Sequence, residues 1–197
     1  TVAIVPLDLT QAEAAQALQA YLQACTPRLD LLIHAAGTQR FAWLAEQDEA
    51  ALQQQVSLNL LAPIRLTRTL LPLLGAQSTV VNVGSTFGAI GYPGFSVYCA
   101  TKAGLRGFTE ALARELGSQG PRICLLAPRA TATELNHGAV DALNQALKNG
   151  VDSPESVANE LMQLLGGRGR ERYIGWPEKL FARLNGLLPG VVDRAIA

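Results

Sequence analysis

An apolar run that leads directly into a serine marks the middle of the sequence. Residues 80–83 (Val-Val-Asn-Val) predict a short buried strand, which ends in Gly84 and Ser85. Tyr98 lies 13 residues after Ser85 in a stretch that predicts a helix, and Lys102 follows four residues later. Because residues four apart share one face of a helix, the phenol and the amine should point into the same space. A hydroxyl, a phenol and an amine would then meet at the carboxyl end of a strand, where open α/β sheets bind ligands.

Other runs of the same kind predict further strands at 1–5, 29–33, 122–126 and 172–175. Apolar residues at helical spacing predict a helix after residue 10, with Thr10 as its cap. They also predict a long helix over 46–74 that Pro63 should kink and that has Leu52, Val56, Asn59, Pro63 and Leu66 on one face. A helix over 97–116 capped by Ser96 is predicted as well. Ser153 followed by Pro154 predicts the start of another helix. Strands and helices of this kind indicate an α/β fold.

Composition excludes several classes of protein. The chain has 197 residues, 49% of them hydrophobic and 16% charged, which is enough for a buried core and does not fit a disordered chain. Lys plus Arg equals Asp plus Glu at 16 each, so charge gives no support for nucleic-acid binding. The two histidines lack metal-ligand spacing, and no apolar run has the length of a membrane span. Three scattered cysteines suggest a reducing compartment, so we expect one cytoplasmic domain over 1–197 without a metal.

Ser85 with the Tyr98-x-x-x-Lys102 motif resembles the short-chain dehydrogenase/reductase family, in its compact single-domain branch. Other segments follow in the family's order from residue 2 to about residue 133: Asp8-Leu9-Thr10, Ala36-Gly37, the stretch 56–63 around Asn59, and Pro128 with Thr133. The resemblance implies a Rossmann-like, doubly wound parallel sheet in three α/β/α layers.

The same resemblance implies an oxidoreductase that uses NADP or NAD and acts on a small carbonyl or alcohol substrate. Tyr98 would be the general acid/base, and Lys102 would lower its pKa. Ser85 would hold the carbonyl, and Asn59 would support a water in a proton relay. The helices that carry Asn59 and Tyr98 would form the interface of a homodimer or homotetramer.

Cofactor contacts are also implied by the resemblance. Asp8 and Leu9 would lie beside the adenine, although Asp8 reads equally well as a turn residue. Further contacts would come from three groups of residues. These are Ala35, Ala36 and Gly37 through their backbone, Tyr98 and Lys102 near the ribose, and Pro128, Thr131 and Thr133 along the carboxamide and pyrophosphate. His34 and Ala35 replace the family's two asparagines, and we interpret His34 as structural. Arg129 replaces a glycine and would either reach a phosphate or face solvent.

Several alternatives stay open at this point. Three segments of the family would precede residue 1 and are not in the sequence: the first strand, the Gly-rich turn and the second strand. The strand at 1–5 would therefore lack its neighbour. The sequence also leaves the choice between NAD and NADP open. Apolar residues of the loop 87–97 either line a substrate site or pack beneath the loop. Residues 134–150 correspond to a substrate lid, and the tail 176–197 should pack within the protein. A non-catalytic binding or scaffolding protein is the second hypothesis, and an enoyl reductase is a weaker third.

Overall fold

The computed structural model describes residues 2–136, 138, 140, 142 and 150–196. Its centre is a parallel sheet of four strands, which pair in the order of the sequence. The strands are β1 (Leu29–His34), β2 (Leu74–Val83), β3 (Arg122–Ala127) and β4 (Glu171–Tyr173). The four predicted strands at 29–33, 80–83, 122–126 and 172–175 are therefore confirmed.

The helices of the described residues lie between and after these strands. They are α1 (Ala14–Cys25), α2 (Glu49–Val56), α3 (Ala62–Leu70), α4 (Ser96–Leu116), α5 (Pro154–Gly166), α6 (Glu178–Leu187) and α7 (Pro189–Ile196). The predicted start of α5 is confirmed, since the Ser153 side chain accepts the Ser156 N–H at 3.2 Å and Pro154 occupies the first turn. None of the described helices is long and apolar enough to cross a membrane.

Alternate residues of the central strands face two helical layers. Val80 and Ile123 pack on one side with Leu112 of α4, whereas Val81 and Leu126 pack on the other side against α5. All four strand residues are at most 1% exposed. Each buried aliphatic side chain of this size contributes roughly 1.5–3 kcal/mol, so both layers hold the sheet. This arrangement confirms the predicted three-layer α/β fold.

The register brings the carboxyl ends of three strands together. His34 pairs with Asn82, and Asn82 pairs with Leu125. The chain therefore leaves β1, β2 and β3 at one edge of the sheet, where a ligand site is expected.

The strand predicted at 1–5 is wrong. Residues 2–7 form no regular structure, and the side chains of Val2 and Ile4 are 91% and 88% exposed. In the described part of the chain no strand pairs with this segment, since the sheet consists of β1 to β4 alone. An apolar run forms a buried strand only when a neighbour satisfies its backbone, and this segment has none there.

The predicted caps of two helices are also wrong. The Thr10 N–H and hydroxyl both donate to the Asp8 carboxylate, at 3.0 and 2.7 Å, so Thr10 completes a turn and α1 begins at Ala14. Ser96 is the first residue of α4, and its cap position is taken by Phe95 without a side-chain bond.

The long helix predicted over 46–74 is interrupted in its middle. A π-helical turn, Ser57–Leu61, separates α2 from α3, and the Ala62 N–H donates to the Ser57 carbonyl five residues earlier. The turn lies directly before Pro63, which has no N–H to donate to the Asn59 carbonyl. The extra residue changes the buried face, so Gln55 is 1% exposed whereas Val56, predicted on that face, is 37% exposed.

The tail packs against the protein as predicted. Ala182 of α6 and Val192 of α7 form a buried cluster with Ile90. The segment predicted as a lid begins with a short 3₁₀ turn, Glu134–Asn136. The rest of that prediction concerns residues 137–149, most of which lie outside the described residues.

Candidate active site

A cavity of about 420 Å³ opens at the carboxyl edge of the sheet. The loops after β1, β2 and β3 and the first turns of α4 line it. Predicted site residues in its lining are Ala35, Gly37, Ser85, Tyr98, Lys102, Pro128, Thr131 and Thr133. The topology thus brings together residues up to 98 positions apart in sequence, and their roles remain predictions.

Ser85 is fixed by the turn that follows β2. Its hydroxyl oxygen accepts the Phe87 N–H at 3.1 Å, at the start of the 3₁₀ turn Thr86–Gly88. A hydrogen bond between Ser85 and the Tyr98 phenol lowers the pKa of the phenol. The hydroxyl of the strand end and the phenol of the helix therefore meet, as the sequence predicts.

Tyr98 and Lys102 lie one turn apart on α4, and both are buried. The Lys102 Nζ atom donates to the Val83 carbonyl at 3.0 Å and lies 5.6 Å from the centroid of the Tyr98 ring. Helical spacing and the end of β2 thus hold the amine over the phenol.

The expected direction of the Tyr98 pKa is wrong for this structure. Burial raises the pKa of Tyr98 to about 12, outweighing the opposing effect of the Ser85 hydrogen bond. The same burial lowers the pKa of Lys102 to about 8. Desolvation disfavours both charged forms, so the phenol holds its proton at neutral pH.

Asn59, on the π-helical turn, is 1% exposed, and its side chain connects this turn to the loop after β1 and to α4. Its Oδ1 accepts the Thr38 N–H at 2.8 Å, while its Nδ2 donates to the Thr38 carbonyl at 2.8 Å and to the Thr101 hydroxyl at 3.2 Å. Asn59 therefore ties the loop after β1 to α4. Sequence reasoning missed Thr101, although it lies inside the Tyr98-to-Lys102 motif and its burial at 1% follows from the helical spacing.

Gly37 keeps the space beside these residues open. A Cβ atom at this position would lie 3.2 Å from Asn59 Oδ1 and 3.7 Å from Lys102 Nζ. A larger residue would press on Asn59 and would come into contact with Lys102. The approach of a cofactor to the backbone at Gly37 stays a prediction.

His34 forms a buried hydrogen bond on the helix side of β1. Its Nε2 atom lies 2.9 Å from the Thr67 hydroxyl of α3, and burial lowers the pKa of the imidazole to about 4. His34 does not line the cavity, which agrees with its interpretation as a structural residue.

Arg129 does not simply face solvent. Its guanidinium forms a two-pronged ion pair with Asp152, with Nε to Oδ2 at 3.0 Å and Nη2 to Oδ1 at 2.9 Å. The two side chains are 20% and 13% exposed. Arg129 is therefore largely buried and bound to Asp152, and its contact with a phosphate stays a prediction.

The predicted adenine contacts lie apart from this cavity. Asp8 is in an exposed turn, where hydrogen bonds from Thr10 and Gln11 lower the pKa of its carboxyl. Neither Asp8 nor Leu9 lines the cavity, and nor does Ala36. For Asp8 the structure favours the turn interpretation.

Apolar residues of the loop 87–97 divide between the cavity and the interior, and whether the cavity binds substrate stays a prediction. Phe87, Tyr92 and Phe95 line the cavity together with Tyr98. Ile90 instead packs beneath the loop against Val192 of the tail.

Known proteins resemble this chain in sequence and in fold. Ketoacyl reductase HetN of Nostoc sp. is 30% identical over 96% of this chain and 69% of its own length. A short-chain dehydrogenase structure from Streptomyces avermitilis superposes with a TM-score of 0.80 at 28% identity, covering 96% of this chain and 75% of that chain. The structure of 4-hydroxyisoleucine dehydrogenase with NADH and succinate gives a TM-score of 0.76 at 25% identity, covering 88% and 78%.

The chain spans between 50% and 69% of the lengths of the curated relatives it matches. A family model described as short chain dehydrogenase matches residues 1–144. The parallel sheet, the Ser85, Tyr98 and Lys102 cluster and these similarities agree. The chain belongs to the short-chain dehydrogenase family.

Proposed function

We propose that the protein is a nicotinamide-dependent oxidoreductase that interconverts a carbonyl and an alcohol, with Tyr98 as general acid/base. The observation that carries this proposal is the meeting of the Ser85 hydroxyl, the Tyr98 phenol and the Lys102 amine at one end of the cavity.

The residues fit the nicotinamide end of NAD or NADP. Gly37 leaves room for a close approach of ligand to Lys102, and Thr131 and Thr133 line the same cavity. Backbone near Ala35 and Pro128 completes the site. The reduced cofactor would supply a hydride to the substrate carbonyl carbon and leave oxidised.

Tyr98 supplies the proton that completes the reduction. As the carbonyl carbon gains the hydride, negative charge develops on its oxygen, and the phenol donates to that oxygen. The raised pKa of Tyr98, about 12, keeps the phenol protonated and ready to donate at neutral pH. The reverse reaction requires the phenolate as base, so alcohol oxidation should increase at alkaline pH.

Ser85 and Lys102 stabilise the phenolate that forms when Tyr98 donates its proton. The Ser85 hydrogen bond lowers the pKa of the phenol, which means that it favours the phenolate left after proton transfer. The amine of Lys102, when protonated, places a positive charge over the same ring. With its pKa near 8, Lys102 carries that charge in only part of the molecules at mildly alkaline pH.

Asn59 acts as a positioning residue. It holds Thr38 beside Gly37 and holds Thr101 beside Lys102, so it fixes both sides of the amine. Pro63 cannot donate to the Asn59 carbonyl, and we propose that a water binds there and returns a proton through Lys102 to Tyr98.

Titration of the purified protein with NADH and NADPH, followed by turnover of a panel of ketones and aldehydes, tests this function. We expect cofactor binding and cofactor-dependent reduction, both weakened in Lys102→Met. Lys179→Met is the matched control, because Lys179 is exposed on α6. Binding of cofactor without turnover on any carbonyl would favour the non-catalytic hypothesis, and no binding of either cofactor would refute the proposal.

A further inference from the structure

The wall of the cavity beyond Tyr98 is aromatic. The rings of Phe87 and Tyr92 stack at 5.3 Å with an angle of 10°, and the Phe95 centroid lies 5.2 Å from that of Phe87. Phe95 is 1% exposed and is supported from behind by Phe41 at 4.9 Å. Phe95 therefore forms a fixed base, and the half-buried rings of Phe87 and Tyr92 face the open space.

This wall begins where the carbonyl would bind. The Phe87 N–H donates to Ser85 Oγ, and the Phe87 ring lies edge-on to Tyr98 with centroids 6.4 Å apart. A group attached to the carbonyl carbon would meet Phe87 first. Leu135 and Val140 also line the cavity, so the groove has further apolar atoms.

The charged side chains of the described lining are directed elsewhere. They are Lys102 and Arg129. Lys102 donates to the Val83 carbonyl and lies beside Gly37, on the side of the loop after β1. Arg129 is engaged by Asp152. A carboxylate placed against the aromatic wall would lose its hydration without gaining a cation among the residues that the structure describes, which is costly.

We propose that the substrate is an uncharged ketone or aldehyde whose carbonyl carries a flat apolar group such as an aromatic ring, or the corresponding alcohol. This inference rests on the proposed function. The carbonyl accepts hydride at carbon and the Tyr98 proton at oxygen, while the ring stacks on Phe87 and Tyr92. Aromatic contacts of this geometry contribute about 0.5–1.5 kcal/mol beyond burial alone.

Three ketones test binding at the aromatic wall separately from the proposed reduction of a carbonyl. They are an aryl methyl ketone, the same ketone with a para carboxylate, and a small acyclic ketone. We expect kcat/KM for the aryl ketone to exceed that for its carboxylate by at least about tenfold, since the wall offers stacking but no counter-ion. The acyclic ketone should react more slowly than the aryl ketone.

Two variants test the role of the rings. Phe87→Leu and Tyr92→Leu remove an aromatic ring and keep an apolar side chain. Each should lower kcat/KM for the aryl ketone about tenfold and leave the acyclic ketone within about twofold. Phe181→Leu, in the separate cluster of the tail, is the control and should leave kcat/KM for both the aryl and the acyclic ketone unchanged. Cofactor affinity and circular dichroism confirm that each variant is folded.

The outcomes distinguish the two ideas. If the carboxylate reacts as well as the neutral aryl ketone, or if neither Leu variant changes the ratio of aryl to acyclic ketone, the inference is overturned. If the acyclic ketone is reduced and the aryl ketone is not, the inference fails while the proposed oxidoreductase function stands. If no carbonyl is reduced, both fail.

Discussion

The ion pair between Arg129 and Asp152 gives a prediction that does not depend on catalysis. The pair joins the segment after β3 to the residues that precede α5. Two backbone bonds of 2.9 Å accompany it, from the Asp152 N–H to the Ala130 carbonyl and from the Ala132 N–H to the Asp152 carbonyl. A Cβ atom at Gly150 would overlap the Arg129 guanidinium, so a larger residue there would displace that side chain.

Asp152→Asn keeps the shape of the side chain and removes its charge. With the two side chains only 20% and 13% exposed, the change removes a charge that contacts a largely buried guanidinium. We expect a loss of about 3 kcal/mol in the free energy of unfolding. Replacing both Arg129 and Asp152 by leucine should cost less than the sum of the Arg129→Leu and Asp152→Leu changes, with a coupling of about 2 kcal/mol.

Urea unfolding of the four proteins of this cycle measures the coupling directly. The exposed pair of Arg28 and Asp30 is the control, because its atoms are 2.7 Å apart yet its side chains are 56% and 78% exposed. Asp30→Asn should leave stability unchanged within error. If Asp152→Asn also left the free energy of unfolding unchanged, or if the effects of the two single leucine changes simply added in the double variant, the pair would not stabilise this edge of the sheet.

Two further predictions concern residues near the site. The free energy of unfolding should fall by about 3 kcal/mol as pH decreases from 6.5 to 4, because the unfolded chain protonates His34 near 6.5 while the folded pKa is about 4. Unfolding curves of His34→Gln should lack this dependence on pH. The same dependence in His34→Gln as in the wild type would contradict the prediction. Gly37→Ala should lower the free energy of unfolding by about 1 kcal/mol and weaken cofactor binding several-fold, since the new Cβ presses on Asn59 at 3.2 Å and approaches Lys102. Calorimetric cofactor affinities equal to those of the wild type would refute a close approach of the cofactor to Gly37.

The sequence predicted the features that depend on local pattern. Residues 80–83 and 122–126 are mostly apolar, which predicts strands covered on both faces. The spacing of Tyr98 and Lys102 placed both on one helix face, and Ser153 with Pro154 marked a helix start. These patterns are set by backbone geometry and need no knowledge of distant residues.

Other features depend on partners that no local pattern shows. The run at 2–5 has the composition of a strand but no neighbour among the described residues, so Val2 and Ile4 are exposed. Arg129 and Asp152 are 23 residues apart, and only the fold brings them together. The pKa of Tyr98 reflects how deeply α4 is buried, which the motif alone does not reveal.

Gln55 illustrates a third kind of error. The π-helical turn Ser57–Leu61 adds a residue to the helix, so the face that a regular helix would bury is displaced by one position. Gln55 is buried in place of Val56 and satisfies its amide with Gln47 at 3.0 Å. Pro63 signalled an irregularity, but not its form.

Turnover of Tyr98→Phe tests the central claim most directly, because this change removes one hydroxyl from a buried ring. Reduction of the best ketone should fall about a thousandfold, with folding and cofactor affinity unchanged, since a general acid contributes roughly 10²–10⁴ to such rates. Tyr21→Phe, on the exposed side of α1, should keep the full rate. If Tyr98→Phe retained the wild-type rate, Tyr98 would not be the proton donor and the proposed mechanism would be wrong.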